Sequence, residues 1–528
     1  MKWLLPVLML FLTACASQSS VYEPESGAST LVYGLTLQPS GFDPHINSSS
    51  ELGIPLRSVY DTLVYREPGT GAIVAGLAQQ WSISDDGLTY TFNLRPDVQF
   101  HDGTPFNTQA VAANLDRILS PDTASQKAAF LLGPFQDYEI VDDYTIRMRL
   151  TEPYSPLLDG LAQVYLGMAS PQALAEYSLD RYQFHQMGTG PYTFVDYVPG
   201  ESLTLRRNPA YTWGPAFMQA SENAPDTIIF RFFEDPPSRA LALQGGQAQV
   251  MGELLPSDAR NMATNTDLGI LPVSIPGQPL QFFLNTRVYP TDDVRVRRAL
   301  LLAANREAII DGVYQRFSPV AWGPLSASTQ YYSPAVAGRY AFDPTQARVL
   351  LSEAGLADND GNGYLDFGGA DINLTMIVPP WGLIPQVAQY LQQQWREVGI
   401  RLTLEQVPSR AALFEALNGG SYNLAAFYEF GADPAFLSRY FTTGAANNWS
   451  GVADASLDAL LSEAARQSDP AARASLYAQA QSAIMDQALI LPIRDYVNLN
   501  GYRRELSGLA FDAYGWHPML SQMEIAGG

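Results

Sequence analysis

A chain of 528 residues, 47% hydrophobic and 16% charged, carries enough apolar side chain for two or more packed cores and is not a disordered polypeptide. Its formal charge of −22 repels nucleic acid and anionic headgroups and favours cationic or zwitterionic ligands over anionic ones. With one lysine after Lys2, one cysteine, four scattered histidines, and no Walker A loop, G-x-S-x-G elbow or H-E-x-x-H pair, the composition excludes thiol catalysis and a Cys-rich zinc site and argues against nucleotide hydrolysis and the common serine and zinc hydrolase motifs, which leaves scattered carboxylates as the one route to an enzyme.

In chain order, Met1-Lys2 and the apolar run Trp3 to Leu12 come first. That run is too short for the ~20 residues of a spanning helix and suits the apolar region of a signal peptide over residues 1–14. Leu12-Thr13-Ala14-Cys15 resembles a bacterial lipobox, which implies cleavage before Cys15 and acylation of its thiol. Each buried methylene of an acyl chain contributes about 0.8 kcal/mol, and two chains hold where one is marginal. Residues 15–28 are small and polar and read as a flexible tether. Losing Lys2 with the leader takes the formal charge from −22 to −23.

Segments 31–37 and 88–94 read as strands. In the second, Leu88, Tyr90, Phe92 and Leu94 share one face, and Asp85-Asp86-Gly87 before it is a turn. Residues 107–119 follow as a helix. Asp292 or Asp293 caps a single helix running to about Asp311, and Pro344 opens another that Gly355 closes. Gln386 to Val398 places Val387, Tyr390, Leu391 and Val398 on one stripe. Gly399 ends it, and Ile400 to Leu404 alternates as a strand. Segments 455–467 and 470–486 form a helical pair, with Pro470 opening the second. Helices alternating with strands predict an α/β fold.

A long ordered series of motifs carries a family resemblance. Tyr60-Asp61-Thr62-Leu63-Val64, Leu77-Ala78, Trp81 and Ser84 to Phe92 lead into Val98-Gln99-Phe100-His101-Asp102-Gly103-Thr104-Pro105-Phe106-Asn107. Gly188-Thr189-Gly190-Pro191-Tyr192, Arg207-Asn208-Pro209, Asp292 to Ala299, Glu353-Ala354-Gly355, Val398-Gly399-Ile400 and Asp433-Pro434 follow. The chain resembles the peptide/nickel-type solute-binding proteins of ABC importers, the bacterial extracellular solute-binding family 5, over about residues 30–515.

The resemblance implies a two-lobed fold with a hinge, acting as a monomer outside the cytoplasm and handing a ligand to a membrane permease. Lobe I is expected over 29–281 plus 489–528, with an extra domain near 57–171, and lobe II over 282–488. The long N-terminal signature, His101 included, reads as structural: Asp102-Gly103 suits a tight turn, and Phe100 and Phe106 suit a core. No catalytic residue is implied. A peptide is the favoured ligand, with an oligosaccharide or a signalling role through a receptor as alternatives.

In peptide-binding members an acidic side chain near the Asp-Pro motif holds the ligand ammonium. Here Phe430 stands three positions before Asp433, so Glu429 or Asp433 is expected to take that role. Trp322, Trp381, Tyr428 and Trp449 sit beside Gly, Pro or Ser in expected loops and are the aromatic candidates. The histidines do not cluster, which argues against nickel. Finally, Asp358-Asn359-Asp360-Gly361-Asn362-Gly363-Tyr364-Leu365-Asp366 places Asp358, Asp360, Asn362, Tyr364 and Asp366 at spacings of a calcium loop. Gly369 stands where such a loop carries its bidentate Glu, so any calcium is expected to be structural.

Overall fold

The computed structural model describes residues 28–525. The leader, Cys15 and all of the expected tether except Ala28 lie outside the described residues.

Two mixed sheets organise the chain. The first has seven strands in the order Leu268–Ser274, Val497–Arg503, Val250–Met251, Thr30–Leu35, Thr227–Phe232, Ser202–Arg207 and Tyr192–Val198. The second has five, in the order Arg401–Gln406, Asn373–Val378, Leu424–Ala426, Leu280–Leu284 and Ile490–Arg494. Each sheet covers its own buried apolar cluster. The chain therefore folds as two lobes, because neither sheet can hide its faces against the other and each recruits its own helices.

The lobes are joined by two neighbouring segments. Leu268–Ser274 pairs antiparallel with Val497–Arg503 in lobe I, and Leu280–Leu284 pairs antiparallel with Ile490–Arg494 in lobe II. Between them Ile275 N–H donates to the Tyr496 carbonyl at 2.9 Å. The chain thus crosses at 275–279 and again at 495–496. The second crossing lies beyond the expected boundary at 489, because Ile490–Arg494 is needed to complete the lobe II sheet.

In lobe I, Ala78–Ile83, Thr89–Leu94, Thr145–Leu150 and Phe135–Asp142 form a separate four-stranded antiparallel sheet. Tyr90, Phe92 and Leu94 are its buried alternate residues, while the helix Thr108–Leu119 starts on the Asn107 side chain, which accepts from Ala110 N–H. The cluster under this sheet is continuous with that of the seven-stranded sheet, so the extra unit is an extension of lobe I.

The expected single helix after Asp293 is two, Val294–Leu302 and Arg306–Tyr314. Asn305 breaks it by accepting from Ala308 N–H, an N-cap that restarts the helix in a new direction. On the helix Ile384–Arg396, Val387 and Leu391 are buried as expected, but Trp395 joins them and Tyr390 is exposed.

Candidate functional site

A cleft of about 1740 Å³ opens between the lobes. Lobe II meets it at the ends of its parallel strands. The strand Asn373–Val378 runs into Pro380 to Leu383, and Leu424–Ala426 runs into Phe427 to Gly431. Open sheets bind ligands at this end because the strands stop there and side chains from neighbouring loops converge. Lobe I supplies loops near 37–50, 126–134, 152–165 and 253–256, and Arg494, Tyr496 and Trp516 lie at the hinge end. The lobes touch across the rim: Arg466 pairs with Glu152 at 2.6 Å, Ser155 N–H donates to the Ala465 carbonyl at 2.9 Å, and the Arg439 guanidinium lies 4.7 Å from the Phe130 ring centre.

Local backbone geometry fixes the lobe II loop. Gly277 sits at φ +136° against it, and a Cβ there would come 2.4 Å from the Glu429 carbonyl oxygen. Only glycine lets the first crossing segment lie so close. Gln278 then clamps the loop, donating N–H to the Glu429 carbonyl at 2.8 Å and accepting Glu429 N–H at 3.1 Å.

The structure brings three of the six expected contact residues into the cleft wall as accessible groups: Trp381, Tyr428 and Glu429. Tyr428 packs 5.3 Å from Phe430 and 5.9 Å from Tyr496, ring centre to ring centre. The Glu429 carboxylate is partly exposed and receives Arg439 at 2.9 Å and the Tyr440 hydroxyl at 2.5 Å.

The other three expectations are corrected. Asp433 borders the cleft, but its carboxylate turns inward to a bidentate pair with Arg473 at 2.6 and 2.9 Å and caps the following turn through Ala435 N–H. Both side chains of that pair are 5% exposed. Trp449 is buried behind the wall, 4.6 Å from Phe427 and 5.8 Å from Phe414, and so supports the rings that do face the cleft. Trp322 lies outside the cleft lining, packed on the lobe II core beneath the Arg306 guanidinium at 4.2 Å.

The charge of the cleft is opposite to that of the chain. Its acids are each matched: Glu152 by Arg466, Asp159 by Arg66, Glu253 by Arg239 at 4.0 Å, Glu429 by Arg439, and Asp433 by Arg473. Lys127, Arg410 and Arg494 also line it and have no carboxylate within ion-pair distance among the described residues. Lys127 lies over the Tyr165 ring at 4.2 Å and Arg410 lies 5.5 Å from the Phe414 ring. The bias toward cationic ligands read from the total charge is therefore overturned locally. Sequence reasoning does not single out Arg494, Tyr496, Trp516 or Glu253. The one available signal is Lys127, the only lysine after Lys2.

The calcium-like loop lies away from the cleft, and its polar groups are turned on the loop itself. Asp358 accepts Gly361 and Gly363 N–H at 2.8 and 3.0 Å, Asp366 accepts Asn359 N–H at 2.8 Å, and Asn362 bridges Asp360 and Asp371. The Tyr364 ring lies under Arg401 at 4.2 Å. Among the described residues no group of three or more His, Cys, Asp and Glu could hold a metal ion. His101 serves the fold: its Nε2 lies 3.0 Å from the Gly190 carbonyl oxygen.

At the lobe I side of the hinge two carboxyls share one hydroxyl. Thr36 Oγ1 lies 3.0 Å from both Glu51 Oε1 and Glu253 Oε2, and Glu253 Oε1 accepts the Tyr496 hydroxyl at 2.9 Å. One hydroxyl proton cannot serve both. Burial, and then the neighbouring Glu253, push the Glu51 carboxyl up to about 7. The folded chain therefore holds a proton that an unfolded chain releases near pH 4.5, so stability falls as pH rises from about 4.5 through 7. Urea unfolding is expected to show a loss of about 1–3 kcal/mol over that window, and Glu51→Gln is expected to flatten it. Asp495, pushed up to about 6 by burial, acts in the same direction, and His45, pushed down to about 4 by burial, in the opposite one. The difference between wild type and variant isolates Glu51. Identical slopes in the two would refute the shared-proton account.

Comparison with known proteins gives concordant results. Residues 72–449 match the family model for bacterial extracellular solute-binding proteins, family 5 Middle. The glutathione-binding protein GsiB of Salmonella typhi is 30% identical over 448 residues, 82% of each chain. The dipeptide-binding protein of Escherichia coli K12 is 27% identical over 525 residues, 93% of this chain and 94% of its own. Among solved structures, NikA from Brucella suis in complex with Fe(III)-EDTA superposes with a TM-score of 0.83 at 25% identity, covering 94% of this chain and 99% of that one.

Proposed function

The chain belongs to the bacterial extracellular solute-binding proteins, family 5, and from that premise we propose that it captures a small peptide or peptide-like solute between its lobes and delivers it unaltered to an ABC importer. The observation that carries the reading is the cleft. Its volume of about 1740 Å³ exceeds the ~300–1,000 Å³ of ordinary small-molecule pockets, leaving room for a solute several residues long. Its walls combine aromatic rings with three cations that have no acid of their own, a surface suited to side chains and carboxylates together. The names of the relatives, which bind glutathione and dipeptides, point the same way.

Capture follows from the hinge. The two crossing segments allow the lobes to rotate, and a solute that touches both walls favours the closed arrangement by its differential contacts. The importer then reads a closed, loaded protein against an open, empty one. Glu429 is the carboxylate for a solute ammonium, since it faces the cleft while Asp433 does not. Trp381, Tyr428 and Phe430 supply apolar contact.

Retention at the membrane is assigned to Cys15, acylated after removal of residues 1–14. No helix among the described residues is long and apolar enough to cross a membrane. One measurement tests both parts. Native mass spectrometry of protein extracted in detergent from its own membranes is expected to show a chain beginning at Cys15 with acyl mass added, and a peptide-sized adduct. A bound neutral sugar, or chemical conversion of the adduct on incubation, would overturn the functional reading. An unacylated chain recovered without detergent would overturn the anchor.

A further inference from the structure

We propose that Arg494 receives a carboxylate of the solute, with the Trp516 indole N–H as a second donor, forming an anion subsite at the hinge end of the cleft. The inference rests on the solute-capture reading above and specifies the chemistry of the solute.

Arg494 closes the last strand of lobe II, where the chain leaves for lobe I. It is 6% exposed. Its guanidinium is sandwiched between the rings of Tyr314 and Tyr496, at 4.2 and 4.3 Å from their centres, and Nη1 donates to Ser318 Oγ at 2.9 Å. Nε is buried and has no hydrogen-bond partner. No carboxylate of the described residues lies within ion-pair distance. Asp495 is turned to the Ala327 amide, and Glu253 takes the Tyr496 hydroxyl while facing Arg239.

A buried guanidinium without an anion is costly, because two ring faces and one hydrogen bond to Ser318 replace only part of its lost hydration. The natural resolution is an anion that arrives with the ligand, and a planar carboxylate matches the guanidinium fork. A second donor is in the same state: Trp516 is 6% exposed, lines the cleft, and its Nε1 has no partner. Its ring lies 6.0 Å from Tyr496 and 5.3 Å from Phe430, within one small apolar cluster that also contains Ile275 of the first crossing segment.

The placement has a mechanical consequence. Arg494 belongs to the lobe II sheet, whereas Trp516 belongs to the C-terminal segment that docks on lobe I, where Tyr514 donates its hydroxyl to Asp159 at 2.9 Å. A carboxylate held by both donors is held by both lobes, the differential contact that favours closure.

The test uses a library of di- and tripeptides prepared as free acids and as C-terminal amides, with affinities read by calorimetry on wild type, Arg494→Gln, Arg494→Lys and Trp516→Phe. Wild type is expected to bind free acids at least tenfold tighter than the matching amides. Arg494→Gln should lose that preference through weaker acid binding with amide binding unchanged, Arg494→Lys should retain part of it, and Trp516→Phe should weaken acids several-fold. Equal affinity of wild type for acids and amides, with binding intact, overturns the subsite and leaves solute capture standing. That comparison does not depend on any variant folding. Absence of binding to either form overturns both readings.

Discussion

Asp61→Ala is expected to leave lobe I unfolded. The Asp61 carboxylate is 1% exposed and gathers four side-chain donors, three of them from distant parts of the chain. Thr189 Oγ1 reaches it at 2.8 Å, the Tyr211 hydroxyl and the Trp213 indole N–H at 2.9 Å each, and the Tyr65 hydroxyl completes the set. Alanine removes the acceptor and strands all four donors in the interior. A buried donor left unsatisfied costs about 1–3 kcal/mol. Even with relaxation the loss reaches roughly 5 kcal/mol or more, against a typical folding stability of about 5–15 kcal/mol. Asp61→Asn keeps one acceptor oxygen and is expected to fall between. Far-UV circular dichroism and thermal melting check the order; a melting point for Asp61→Ala within about 2 °C of wild type would sink the account.

The second large effect concerns Asp433. Its removal leaves the Arg473 guanidinium buried among Tyr331 and Tyr477, with only Nε still satisfied by the Ala464 carbonyl and Nη2 by a long contact to the Tyr477 hydroxyl. Breaking a buried pair on one side costs about 3–5 kcal/mol, which for a lobe of this size lowers the melting point by roughly 10 °C. Pairing Asp433→Ala with Arg473→Met should recover most of that loss, because the uncompensated charge goes with the arginine. The double variant is also expected to bind peptides normally, since the carboxylate faces away from the cleft. No recovery in the double variant, or a tenfold loss of affinity there with stability restored, would return Asp433 to the ligand.

These two aspartates mark where sequence reading succeeds and where it stops. Asp61 stands in a long ordered signature read as structural, and its four partners explain why: one carboxylate ties Tyr65 to residues near 189 and 211–213. Three of the four partners are not legible, because hydrogen bonds across more than a hundred residues leave no local spacing. Asp433 carries the same chemistry that a ligand contact needs, a carboxylate in a loop beside aromatic residues. Only the position of Arg473 on a separate helix decides that it is spent inside. Trp322 and Trp449 fail for a related reason: a tryptophan next to glycine or serine reads as exposed, yet Arg306 and Phe427 cover these two.

Local signals, by contrast, carry over well. The alternation Tyr90, Phe92, Leu94 specifies a half-buried strand, and Asn107, Asp293 and Pro470 mark helix starts within a residue or two. Caps and periodicity act over four residues or fewer, so the chain itself displays them. The break at Asn305 is masked in the sequence by apolar residues on both sides of it.

Taken by itself, the amino-acid order determined the α/β class, several helix and strand positions, the family, and the absence of a known catalytic motif, since each depends on short-range patterns or on an ordered series of motifs. The tertiary structure alone decided the sign of the cleft charge. Acids outnumber bases along the chain, yet packing neutralises every acid that borders the cleft and leaves Lys127, Arg410 and Arg494 without one. Charge in a cleft is set by which side chains meet in space, and that pairing is a property of the folded lobes.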